Sequence, residues 1–146
     1  MKKIALIAFV SILSTACNTK VNSSDIPKIN GYWEIEKVIF SDGKTKEYTI
    51  NESFDYFEVK NNIGIRKKVM PQLDGTFLVN DAFENVKINE VNEKQYINYS
   101  TSFSKWKEEV RSISDEKLIL INDAKNEYHY KRAAPINITG DGKKAK

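Results

Sequence analysis

Cys17 is the residue whose surroundings specify a chemistry most narrowly. It is the sole cysteine among 146 residues, so an internal disulfide is excluded. Lys2 and Lys3 precede an apolar run from Ile4 to Leu13, interrupted by Ser11, and Ser14, Thr15 and Ala16 are small. That pattern is a secretory signal with a small-residue processing site. The run is about half of the roughly twenty residues a helix needs to cross a bilayer, so it is not a membrane span. An ordinary signal with a cysteine that happens to lie near the cut is the other reading. His129 is the sole imidazole, and one thiol with one imidazole cannot furnish a structural zinc or iron–sulfur site. No metal or cofactor is therefore expected. A Gly-x-Ser-x-Gly elbow and a phosphate-cradling glycine loop are both missing. The adjacent Glu108 and Glu109 point to opposite faces if they lie on a strand, which spoils an acid/base couple. The chain is not expected to be an enzyme.

Aromatic side chains remain as candidates for binding. Two Trp, seven Tyr and seven Phe are present, and Tyr56, Tyr99, Trp106, Tyr128 and Tyr130 carry the polar handles that suit a ligand pocket. Each also suits a hydrophobic core. Within Arg66-Lys67-Lys68, a run that also reads as solvated charge, alternation puts Lys67 with the apolar residues Ile63, Ile65 and Val69. If that face is inward, Lys67 sits in or at the rim of an interior and hints at an anionic ligand.

The elements that must position these groups are strands. Residues 18–28 are polar and aperiodic and read as a tether. From Ile29 to Arg132 short runs rich in Ile, Val, Tyr, Phe and Thr are broken every eight to twelve residues by Gly, Asn, Asp and Ser, the spacing of an antiparallel all-β domain. The predicted strands are 32–40, 47–50, 54–60, 63–70, 76–80, 85–91, 95–103, 106–112, 117–121 and 127–132. Asp42-Gly43, Asp74-Gly75, Asn61-Asn62 and Lys125-Asn126 supply turn residues tolerant of positive φ. Trp33, Ile35 and Ile39 share one face of the first strand, and nearly every strand is half apolar. A meander of eight to ten such strands hides its apolar face by closing into an up-and-down barrel, with a sandwich as the alternative. Residues 133–146 hold Pro135, two glycines and three lysines, and read as a disordered tail. Removing residues 1–16 takes two lysines from a formal charge of +3, and the resulting near-neutral chain of single-domain length does not suit a nucleic-acid partner.

Residues 1–17 resemble a bacterial lipoprotein signal, with Ser14 where such signals carry Leu and Leu13 one place earlier. That resemblance implies an acylated Cys17 as the mature N-terminus, held in the membrane by two or three chains. Asn18, Thr19 and Lys20 lack the Asp associated with inner-membrane retention, and no acidic surface-export cluster follows. An outer-membrane location on the periplasmic face is the expectation. Gly31-Tyr32-Trp33 resembles the Gly-x-Trp of lipocalins, and Arg132 ends the last strand where lipocalins place an arginine across the tryptophan ring. Residues 54–60 (FDYFEVK), 66–77 (RKKVMPQLDGTF) and 126–132 (NEYHYKR) are similar to the lipocalin-like lipoproteins of Bacteroidetes and flavobacteria. The resemblance implies a lipocalin-like barrel over 29–132, closed at one end by Trp33 and Arg132, behind a signal over 1–16 and a lipid-anchored tether over 17–28. It transfers no catalytic residue. The expected function is binding of a small apolar or amphipathic ligand inside a membrane-anchored barrel. The alternative is a filled barrel that binds another envelope protein as a scaffold or inhibitor.

Overall fold

The computed structural model describes residues 20–133. A 3-10 helix, Ser23–Ile29, precedes ten strands: β1 Gly31–Ile39, β2 Thr45–Glu47, β3 Phe54–Lys60, β4 Ile63–Pro71, β5 Phe77–Val79, β6 Glu84–Val91, β7 Lys94–Ser100, β8 Lys105–Ile113, β9 Lys117–Asn122 and β10 Glu127–Arg132. All pairings are antiparallel, in the order β10-β9-β8-β7-β6-β4-β3-β1, and β1 pairs back onto β10. The sheet is thus a closed eight-stranded barrel, with β2 and β5 as short flaps on β1 and β4. Turn chemistry explains the hairpins. Asn61 and Asn62 take φ 51° and 65°, and Asn92 and Glu93 take 50° and 63°. Two successive positive-φ residues make the tight hairpin turn whose twist matches that of the flanking strands. Asn92-Glu93 fills the break between the predicted strands 85–91 and 95–103, although Glu is a poor left-handed residue.

One end of the barrel, the floor, holds the 3-10 helix, the turns at 61–62, 92–93 and 114–116, and the end of β10. The turns at 40–44, 72–76, 101–104 and 123–126 surround the other end, the mouth. Trp33, Phe57, Val86, Ile88, Ile97, Val110, Leu118 and Leu120 fill the floor half of the lumen, and Val21, Ile26 and Ile29 cover them from below. The described part of the expected tether is therefore part of the core. Its apolar residues fall at irregular spacing in a 3-10 turn, which no helical or strand period detects. Trp33 Nε1 donates to the Ile29 carbonyl at 2.6 Å, pinning this segment to the barrel. The expected signal peptide and Cys17 lie outside the described residues, as does the expected tail apart from Ala133, whose amide donates to the Tyr32 carbonyl at 2.9 Å.

Two irregularities reset the faces. The pairing of β1 with β10 slips between Ile35 and Lys37, so Val38, not Ile39, returns to the buried side. A bulge adds one residue and flips the parity of everything beyond it. The same happens in β8 between Val110 and Ser112. The predicted strand 47–50 is instead β2, Thr45–Glu47, because Ile39 pairs with Thr45 and Lys37 with Glu47 across the Gly43 turn. Lysines are frequent on the outside of the barrel. Lys37, Lys87, Lys107 and Lys131 all lie on the outer wall, which is therefore not a lipid-facing surface.

Candidate binding site at the barrel mouth

The floor is held by backbone acceptors gathered around one guanidinium. Arg132 opposes Trp33 across the closing seam, and its guanidinium carbon stands 3.9 Å from the centroid of that ring. Nε donates to the Asp115 carbonyl at 2.8 Å, Nη1 to that of Asn30 at 2.5 Å and Nη2 to that of Lys28 at 2.7 Å. Gly31 explains its own place in the motif: at φ 109° a Cβ there would come within 3.0 Å of Arg132 Nη1. A planar fork that both stacks and bonds three carbonyls is a task for arginine, not lysine.

Above this apolar floor the lumen changes character. In β3 and β4 the inward rows are Asp55, Phe57 and Val59 against Lys68, Arg66 and Gly64. Gly64 is required by a close approach, since a Cβ would lie 1.9 Å from the Glu58 carbonyl oxygen. Arg66 is buried at the centre of this half. It ion-pairs with Glu84 through Nε, lies 3.8 Å from Glu108 through Nη1, and stands 4.1 Å from the centroid of Tyr99 with Phe57 and Trp106 about it. Lys68 Nζ reaches Asp55 Oδ1 at 2.6 Å. Desolvation alone would pull Arg66 down, but Tyr99, Glu84 and Asp55 outweigh it and keep its proton held more firmly than usual. Burial pushes Glu108 above its ordinary value, opposed by the Tyr99 hydroxyl and the Arg66 charge. Tyr99 and Tyr130 are both raised, chiefly by burial.

Of the residues expected to line a pocket, four come together. Tyr99 and Trp106 stack at 5.2 Å, Tyr130 is buried, and the Tyr128 hydroxyl accepts from Asn122 Nδ2 at 3.1 Å, all from inward rows. Tyr56 and Lys67 do not join them. Both point outward, Tyr56 with its ring 4.7 Å from that of Tyr32, and Lys67 with Nζ 6.0 Å from the Phe83 ring. The inference that Lys67 lies inside is corrected: the apolar residues it alternates with are on the outer wall, where Phe77 of β5 stacks on Tyr32 at 4.1 Å and meets Phe54 at 6.2 Å, and where Val69 of β4 is buried. A flap strand that covers the outside of a barrel makes both faces apolar, and alternation then no longer identifies the inside. The lumen charges missed in the sequence are Arg66, Asp55, Glu84 and Glu108. Their one signal is register, since each stands opposite another inward residue, and register needs the pairings.

The lumen opens beside this network. β4 follows β6 only as far as the Arg66–Glu84 pair and then turns to β5. The notch that results is a hollow of about 250 Å³, lined by Arg66, Lys68, Glu84, Thr101 and Phe83. Around the mouth stand large apolar side chains without intramolecular cover: Phe103 is 96 % exposed and Leu73 72 %, with Phe83, Leu78 and Met70 about half exposed. Among the described residues no three His, Cys, Asp or Glu side chains converge as metal ligands.

Comparison with solved structures finds similarity to a lipocalin-like protein from Bacteroides uniformis at 11 % identity and TM-score 0.47, covering 73 % of this chain and 99 % of that one. An uncharacterized protein from Bacteroides eggerthii is similar at 12 % identity and TM-score 0.45, covering 71 % of this chain and 98 % of that one. The chain's own pairings make it a closed, up-and-down antiparallel barrel of eight strands. No family model and no curated protein matches it.

Proposed function

We propose that the chain is a lipid-anchored, non-catalytic interaction barrel that presents the rim of its mouth to another protein of the bacterial envelope. The observation that carries this reading is the exposure of Phe103 and Leu73, with Phe83 half exposed, at one end of a barrel whose lumen is occupied by its own side chains. Large apolar groups concentrated in one place mark an interaction surface, whereas scattered ones do not. On this reading an anchor at Cys17 keeps the protein's own membrane from being the cover. Lys20 and Val21 lie at the floor, beside Glu93 and Lys94, and three residues beyond them Cys17 is within about 11 Å along an extended chain. An acylated Cys17 therefore holds the floor at the membrane and turns the mouth away, about 30 Å off given strands of nine residues.

A second reading is favoured by the mouth hollow: a small amphipathic ligand could place its polar head over Arg66 and Lys68 and its apolar part on Phe83. One experiment addresses both. A photo-crosslinking amino acid at Phe103 in cells of the source organism is expected to yield a discrete protein adduct, while native mass spectrometry of the purified protein shows no retained small molecule. A retained ligand with no protein adduct would select the carrier instead. Replacing Cys17 with Ala is expected to move the protein from the membrane to the soluble fraction, and unchanged membrane attachment would refute the anchor.

A further inference from the structure

A second hollow, of about 540 Å³, lies on the outer wall of β4, β6, β7 and β8, away from the mouth. Its size falls within the range of small-molecule sites. Register builds its frame: Ile63, Lys87, Asn98 and Lys107 stand opposite one another across the four strands, and Ser100 and Lys105 form part of the next outward row. Residues directly opposite have Cβ atoms about 5 Å apart, so Lys87 and Lys107 flank Asn98 at about 10 Å from each other, with Lys105 one row, about 7 Å, beyond. Three lysines thus rise from the wall around a row of short polar side chains.

These lysines differ from most others of the barrel. Lys20, Lys28, Lys44, Lys68, Lys94, Lys117 and Lys131 each lie within ion-pair distance of a carboxylate, but Lys87, Lys105 and Lys107 do not, among the described residues. Asp123 borders the hollow without pairing with any of them. Lys107 Nζ instead lies 5.3 Å from the centroid of Tyr96, so its stem is laid along the wall. Lysine stems are apolar up to the charged tip, and Ile63, 65 % exposed, adds an apolar end to the floor. The surface therefore offers apolar contact below and uncompensated positive charge at the edge. We propose that this hollow binds a small amphipathic anion, an organic sulfonate, sulfate or carboxylate, with its apolar body on Ile63 and the lysine stems and its acid group among Lys87, Lys105 and Lys107.

The test uses the full chain carrying Cys17→Ala, so that no detergent competes, and two probes with one aromatic body: anilinonaphthalene sulfonate and the uncharged N-phenylnaphthylamine. At low ionic strength the sulfonate is expected to bind saturably and more tightly than its neutral counterpart. Lys87→Gln, Lys105→Gln and Lys107→Gln together are expected to weaken the sulfonate by about tenfold or more and leave the neutral probe unchanged. Lys107→Arg keeps the charge and is expected to keep the affinity. Phe103→Ser, at the mouth, leaves the sulfonate affinity as it was. Loss of sulfonate binding with Phe103→Ser but not with the lysine triple would overturn the site, as would equal affinity for the two probes. All three lysines are exposed, so a fold intact by circular dichroism is expected in every variant.

Discussion

At the floor the fully buried Trp33 indole is covered by Ile26, Ile29 and the Arg132 guanidinium, whereas at the mouth Phe103 stands 96 % exposed above a lumen plugged by Arg66. Both ends use an arginine stacked on an aromatic ring, but its partners differ. Arg132 satisfies itself on three backbone carbonyls that the fold must place somewhere. Arg66 is balanced by carboxylates whose own burial is costly, and an ion cluster of this kind adds little net stability against an apolar filling of the same shape. The chain therefore closes the floor with its own apolar segment and leaves the mouth closed by charge, with apolar side chains around it that only another molecule can cover.

The comparison can be broken first at the floor. Trp33→Ala removes a fully buried indole and its hydrogen bond to Ile29, and is expected to destabilise the barrel by about 4–5 kcal/mol in denaturant unfolding. A loss near 1 kcal/mol would mean that the floor is not the main core. Arg66→Met leaves Glu84 and Glu108 facing each other without their cation, at an expected cost of about 3 kcal/mol at neutral pH. Adding Glu108→Gln to that variant should return part of the loss, and strict additivity of the two changes would show that they do not share a network.

Glu108→Gln alone sharpens the mouth. In the fold the carboxyl is raised, so the native state holds its proton more tightly than the unfolded chain does. Its contribution is therefore fully present below the ordinary value of 4.5 and is lost as the pH rises through the folded value. Thermal melts of the Gln variant and the parent should coincide in acid and separate toward neutrality, with the variant melting higher. The reverse order would put an essential charge on Glu108. The smallest effect is expected from Phe103→Ser, which should change stability by no more than about 0.5 kcal/mol while weakening the adduct formed by a photo-crosslinking residue placed instead at Leu73. A large loss of stability would show that Phe103 is packed, not presented.

Much of the barrel was legible because a strand writes its burial with a period of two and a turn requires particular residues. The runs at 54–60 and 127–132 coincide with β3 and β10, and Asp42-Gly43 and Asn61-Asn62 are turns. The candidate site was less so. Tyr99, Trp106, Tyr128 and Tyr130 do face the lumen, yet Lys67 and Tyr56 face out, because β5 covers one side of the wall and supplies an apolar environment that alternation attributes to the inside. The bulges in β1 and β8 are a further limit, since one extra residue reverses every later side chain without leaving a compositional mark.

By itself the sequence determined the all-β class and the hairpin order, both of which depend on residues close along the chain. The tertiary structure alone decided that Arg66 enters the lumen and Lys67 does not, that residues 23–29 seal the floor, and that Lys87, Lys105 and Lys107 occupy neighbouring rows of the outer wall. Each of those outcomes is set by which strand lies beside which and in what register, and that is a relation between distant segments that no local pattern carries.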